Sequence, residues 1–331
     1  MVSLLGILPG AQTRSPVCMK SGGDATGRPE ASMSFARRMK TIVVATNLDG
    51  KSEAALEYAR KLAGAYGARL VLAHGLDPVD YAAVDTVPGQ ILKGLTEQAR
   101  TALEELAGDL LREGIHSHSE IRQGAVAQML VDVARQYQAG LIVIGTEGMQ
   151  GAGSVIVGSV AEQLVRLAPC PVLAVAADWN AGPFRPVPGG PVLLAMERNE
   201  ATPTAVDTAQ SLAEIFHRTL LVVHARTSVE AAASLDPCAA TLEEFGIQSR
   251  GRFPVNCMVK DGNPADVIAA VIAEYHPSIL VAGVKRASDT PGPHGTAFAL
   301  LAGSRVPVLC VPPEPVAAGL EWGASLTVDT K

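Results

Sequence analysis

The stretch "RQGAVAQMLVDVARQYQAGLIVIG", residues 122–145, returns as "KDGNPADVIAAVIAEYHPSILVAG", residues 260–283, 138 positions later. Each version opens on a charged residue and a glycine, runs through apolar positions at helical spacing, and ends in an aliphatic run closed by glycine. In the first, Val126, Leu130, Val133, Ala134 and Tyr137 fall on one helix face. The run "LIVI" has no polar alternation and reads as a strand buried on both sides. A helix feeding such a strand predicts a βαβ unit in a parallel sheet covered by helices.

The repetition extends outward from this segment. "TIVVATN" (41–47) is matched by "PVLLAME" (191–197), and "ARLVLAHG" (68–75) by "RTLLVVHA" (218–225), both 150 positions on. "PVLAV" (171–175) is matched by "PVLCV" (307–311) at an offset of 136. The fall from 150 to 138 places a loss of about a dozen residues in the middle of the second copy. The chain therefore reads as two copies of one unit: 39–177, then a Pro/Gly linker 178–190, then 191–312. The Gly/Ser/Pro-rich residues 1–38 are expected to be a disordered extension, with Met33 or Met39 a candidate start, and 313–331 a tail. Strands are expected over 41–46, 69–74, 117–122, 140–145 and 171–175. Between them, "KSEAALEYARKLAGAYG" sets Leu56, Ala59, Leu62, Ala63 and Tyr66 on one face with Gly67 as its stop, and a Leu/Glu-rich helix covers 90–113. The expected fold is α/β, two tandem doubly wound parallel sheets with right-handed crossovers.

Composition excludes several function classes. Of 331 residues, 48% are hydrophobic but only 4% aromatic, so the core must be built from Ala, Val, Leu and Ile. A net charge of −6 argues against nucleic acid or an anionic membrane as partner. No apolar run approaches the roughly 18–20 residues of a spanning helix. Five scattered cysteines, Cys18, Cys170, Cys238, Cys257 and Cys310, form no CxxC pair and fit a reducing cytoplasm. Cys170 and Cys310 adjoin aliphatic runs and are expected to be buried.

After the strand at 140–145 comes "GTEGMQGAGSVIVGS", residues 145–159, with five glycines and no lysine or arginine. Ser159 is a good N-cap for the helix "SVAEQLVRLA", whose first amides have no partner within the helix. Such a terminus favours a phosphate through its donors and its dipole. The dipole contributes about 0.3–1 kcal/mol, against the roughly 8 kcal/mol of micromolar binding. Several amides, the Ser159 hydroxyl and a stacked base must act together.

The spacing G-x2-G-x9-G-S, carried by Gly145, Gly148, Gly158 and Ser159, resembles the ATP-binding branch of the universal stress protein family. The continuation "VAEQLVRLAPCPVLAV" resembles that family's last helix and strand, and the likeness spans residues 39–312 as a tandem pair. The resemblance implies adenine-nucleotide-α-hydrolase-like domains of five parallel strands, paired within the chain through their last strands as a pseudo-dimer. It also implies binding of ATP or a related adenine nucleotide, with or without Mg²⁺. Ala45, Thr46, Asn47 and Gly75 would then lie near adenine and ribose, Ile144 and Gly145 would flank the nucleotide, and Gly148, Gly158, Ser159 and Val160 would hold phosphates. Three features depart from the family pattern: Asn47 stands where Asp is common, Glu147 brings a negative charge into the motif, and the second copy breaks the fingerprint. There Gly283 survives, Arg286 replaces the second glycine, Gly295-Thr296 comes one residue early, and Glu197 takes the place of Asn47. The second copy is expected to bind no nucleotide and to serve as a structural partner.

Other constellations carry less. There is no GxxxxGK[ST] loop and no GxGxxG after a strand, and 145–159 lacks the cation that phosphoryl transfer uses. Catalytic residues and metal ligands are therefore expected to be none. His116, His118 and Glu120 in "HSHSE" could meet a metal on one strand face but read better as a solvated edge. His74 and His224 stand at equivalent strand ends, where a shared structural role outweighs catalysis. Three functional classes stay open: a cytoplasmic stress-response regulator that binds nucleotide and an unknown protein partner, a scaffold with an empty cleft, and a slow ATPase. A homodimer of tandem chains also stays open.

Overall fold

The computed structural model describes residues 35–48, 50, 52–76, 89–146, 159–177, 189–197, 199–226, 237–247, 253–285, 296–304 and 306–314. The aliphatic runs become β1 (Thr41–Ala45), β2 (Arg69–Leu76), β3 (Ser117–Gln123), β4 (Leu141–Thr146) and β5 (Val172–Ala176). Their counterparts are β6 (Val192–Met196), β7 (Leu220–Arg226), β8 (Val255–Asp261), β9 (Ile279–Gly283) and β10 (Val308–Val311). All ten form one sheet in the order β3-β2-β1-β4-β5-β10-β9-β6-β7-β8. Pairing is parallel within each set of five, and the second set repeats the order of the first. The two sets meet at β5 and β10, which pair antiparallel through Ala174–Val308, Leu173–Leu309 and Val172–Cys310.

Alternation along the strands splits the core into two layers. Ile42, Val44, Leu70 and Leu72 face one layer, under α2 (Glu53–Tyr66) and α3 (Gly89–Arg112). Val43, Val71, Ile142 and Ile144 face the other, under α4 (Val126–Gln136) and α5 (Ser159–Leu167). In the second half α6 (Thr202–Ile215) and α7 (Pro237–Glu244) cover the first layer. The second layer is covered there by α8 (Pro264–Tyr275) and α9 (Thr296–Gly303). Both layers run unbroken across the β5–β10 joint. Gly67 ends α2 with φ 64°, its N–H bonded to the Ala63 carbonyl, as its position predicts. The residues missing from the second copy lie where α3, 24 residues long, is replaced by α7, of 8. Among the described residues no helix is long and apolar enough to cross a membrane.

One expectation needs correction. Residues 1–34 lie outside the described residues, but Phe35–Arg38 form the short helix α1 rather than part of a disordered extension. Phe35 and Met39 are each 1% exposed, and the Phe35 ring meets Tyr66 edge-on with centroids 6.0 Å apart. The Phe35 N–H donates to Asp207 Oδ2 on α6 at 2.8 Å, so α1 is held by both halves. A single buried aromatic overrides the polar composition of its surroundings. The expected tail is likewise attached at its start, where Pro313 is buried and Glu314 pairs with Arg38 at 3.1 Å. Of the expected linker only Gly189 and Gly190 are described, and a side chain on Gly190 would sit 2.3 Å from the His276 carbonyl oxygen.

Candidate functional site

Between β1 and β4 the strand order reverses, since the chain moves outward from β1 to β2 and β3 on one side and from β4 to β5 on the other. Strand ends diverge at such a switch point and leave a crevice beyond their carboxyl ends. The structure brings Ala45, Thr46 and Asn47 to the end of β1, Gly75 to the end of β2, and Ile144 and Gly145 to the end of β4. Ser159 and Val160 open α5. Glu147, Gly148 and Gly158 lie outside the described residues.

Side-chain environments divide this group. Gly145 and Asn47 are exposed, while Thr46 and Ile144 are buried. Ile144 belongs to the core layer under α4 and α5, so only its main chain is available to a ligand. Gly75 is explained by packing, because a Cβ there would approach Met129 Cε and Val126 Cγ2 at 3.0 Å. The turn after β1 is held by its own polar network. Asn47 N–H donates to Ser52 Oγ at 3.3 Å, Ser52 N–H donates to Asn47 Oδ1 at 3.3 Å, and the Thr46 and Ser52 hydroxyls lie 3.2 Å apart. The Leu48 N–H donates to Thr46 Oγ1 at 3.3 Å while Leu48 itself takes φ 59°. Sequence reasoning missed Ser52, which fixes the direction of Asn47. The available signal was its equivalence with Thr202, 150 positions on.

His74 Nδ1 contacts the Thr46 carbonyl oxygen at 2.8 Å, and His224 Nδ1 contacts that of Met196 at 3.1 Å. A carbonyl only accepts, so in both rings Nδ1 carries the proton and ties one strand end to the next. This agrees with a structural role for the pair.

At the equivalent crevice of the second half there is a cavity of about 250 Å³, with Met196, Glu197, His224, Ile268, Gly283 and Leu300 among its walls. Glu197 Oε1 and Lys285 Nζ pair at 2.9 Å, both well exposed. Lys285 stands 138 positions after Glu147, so the charge at that place in the motif is reversed between the halves. Met196 for Thr46 and Glu197 for Asn47 also replace neutral polar groups by an apolar and an acidic one.

The "HSHSE" segment forms a small cluster on the outer strand β3. Glu120 accepts from Tyr137 Oη at 2.5 Å and from Arg122 Nε at 3.1 Å, and His118 Nε2 lies 3.5 Å from its Oε1. Burial acts to raise the Glu120 carboxyl, but these hydrogen bonds and the Arg122 charge hold it below its ordinary range. His116 is exposed just before the strand. No group of three or more His, Cys, Asp or Glu placed to hold a metal occurs among the described residues.

Comparison with known proteins places this architecture. The sequence model of the Universal stress protein family matches residues 39–176. A universal stress protein of Thermus aquaticus is 32% identical over 137 residues, 41% of this chain and 98% of its own length. One of Mycolicibacterium smegmatis is 28% identical over 211 residues, covering 62% of this chain and 70% of the relative. Among solved structures, a universal stress protein from Archaeoglobus fulgidus superposes with a TM-score of 0.65 at 16% identity, over 82% of this chain and 98% of that one. A further one from Pseudomonas aeruginosa gives 0.60 at 19% identity, over 85% and 95%. With its first half matched almost end to end by relatives of this kind, and the same strand order repeated in the second half, the chain belongs to the universal stress protein family.

Proposed function

We propose that the chain is a tandem universal stress protein, with copies over 39–177 and 191–312, that binds ATP or a related adenine nucleotide in its first copy. In this reading it acts as a cytoplasmic stress-response regulator, by binding rather than by turnover. The observation that carries the ligand is the convergence of the Ala45–Asn47 turn, the end of β2 and exposed Gly145 at the β1/β4 switch point, in a sequence whose glycine spacing leads to Ser159 at the start of α5. Adenine and ribose meet the main chain at 45–47 and 144–145. Phosphates meet the amides of Gly148, Gly158, Ser159 and Val160. Mg²⁺ serves to offset the charge that Glu147 brings close to a polyphosphate. A partner protein reads the surface that includes 146–157. The second copy, with Glu197 and Lys285 at the corresponding places, acts as the structural half of the pair.

Titration calorimetry of the full chain with ATP, with and without Mg²⁺, tests the reading. Saturable binding is expected, weakened at least about tenfold by Gly158→Val, whose side chain blocks the close approach of a phosphate. No binding heat at millimolar nucleotide would leave a scaffold with an empty cleft. A steady-state phosphate-release assay is expected to show no more than trace activity.

A further inference from the structure

The four described cysteines fall into two kinds. Cys170 and Cys310 are buried, and desolvation pushes both thiols up to about 12, which removes them from thiolate chemistry at neutral pH. Cys238 and Cys257 are only half-buried, and the Cys238 thiol reaches the Cys257 main chain. Cys238 stands in the first turn of α7, and its Sγ contacts the main-chain oxygen of Cys257 on β8 at 3.2 Å. That oxygen is two bonds from the α-carbon bearing the second thiol, which places Cys238 Sγ within about 6 Å of it. Cys257 is level with Val222 on β7 and packs on the core layer that also receives Leu242 of α7. The Leu220 N–H takes the Pro254 oxygen, so by strand alternation the Cys257 carbonyl points away from β7 to the outer edge, where Cys238 meets it. Two half-buried cysteines thus stand side by side, one on α7 and one on β8, the terminal strand of the sheet, with the thiol of the first against the main chain of the second.

We propose that Cys238 and Cys257 form an oxidation site, converted by a peroxide into an intramolecular disulfide that ties α7 to the edge strand β8. One thiolate attacks an oxygen of hydrogen peroxide: the S–O bond forms, the O–O bond breaks, and hydroxide leaves to become water. The second sulfur then attacks that sulfenic sulfur, the S–S bond forms, and the released hydroxyl departs with a proton as a second water. Two thiols and one peroxide give one disulfide and two waters, so the balance closes with no further reagent. The bridge closes a loop from 238 to 257 and leaves the buried Cys170 and Cys310 untouched.

The test uses the reduced full chain and stoichiometric hydrogen peroxide, followed by alkylation in denaturant and peptide mapping without reductant. The expected result is a fall in alkylatable thiols from the chain's five cysteines to three, a cross-linked peptide joining 238 to 257 within one chain, and recovery of all five with dithiothreitol. Cys257→Ser is expected to abolish the cross-link and leave Cys238 as a sulfenic acid trappable by dimedone. Retention of all five thiols, a bridge to Cys18, Cys170 or Cys310, or a bridge between two chains would each overturn the proposal. The mapping on the unmodified protein decides the matter even if the variant does not fold.

Discussion

Gly67 and His217 occupy equivalent helix ends, 150 positions apart, and both take left-handed backbone, φ 64° and 51°. Glycine enters that region at no steric cost, whereas a side chain strains against its own carbonyl. His217→Gly is therefore expected to stabilise the fold by about 0.5–1 kcal/mol, and Gly67→Ala to destabilise it by about 1 kcal/mol, both read from urea midpoints. The stop at Gly67 was legible in the sequence because glycine announces such a conformation. The same stop at His217 was not, because nothing in histidine marks it. Asn47 shows the same asymmetry: its place after β1 could be read, but its Oδ1 being engaged by the Ser52 amide could not. Glu120 yields a pH prediction. A carboxyl held below its ordinary value contributes stability above its unfolded titration range, and that contribution is lost as pH falls through the lower folded value. Tyr137→Phe removes one donor to this carboxylate, which is largely shielded from solvent. The expected loss is about 1 kcal/mol at pH 7, shrinking toward zero under acid, so acid unfolding followed by circular dichroism should begin at higher pH than in the parent.

At the scale of elements, strands and long helices were readable for one physical reason. A parallel strand covered on both faces must be aliphatic throughout, and a covering helix must keep a stripe at its own period. Hence β1, β4 and β5 begin and end within a residue of the ranges read from sequence. Helix α1 escaped the same reasoning because four residues cannot display a helical period and its anchor, Asp207, is 172 positions away. Its weight in the fold is nonetheless testable. Phe35→Ala deletes a side chain that is 1% exposed and touches Tyr66, so a loss of about 3–5 kcal/mol is expected in chemical denaturation. A change below about 1 kcal/mol would mean that α1 is not docked in solution.

At the scale of the whole molecule, the decisive feature is the antiparallel joint of β5 and β10, which turns two five-stranded sheets into one of ten. Repetition in the sequence announced two copies, and pairing through the last strands followed only from the family resemblance, since nothing in "PVLAV" or "PVLCV" distinguishes a central strand from an edge. Contacts around the joint bind the halves further. The Arg166 guanidinium lies 5.1 Å from the Phe298 ring centroid, and Tyr58 Oη donates to the Ser278 carbonyl at 3.3 Å. Expressing residues 35–177 alone removes all of these and bares β5, a fully buried strand whose five residues are aliphatic. An unpaired edge of that kind recruits another strand. The most similar strand available is β5 of a second fragment, approached antiparallel as β10 approaches it in the intact chain. The fragment is therefore expected to be a dimer at micromolar concentration by light scattering, and replacing Leu173, at the centre of the joint, with lysine should return it to monomer or unfold it. A parent fragment that stays monomeric with native circular dichroism would show that the joint contributes little, and that each half covers its own edge.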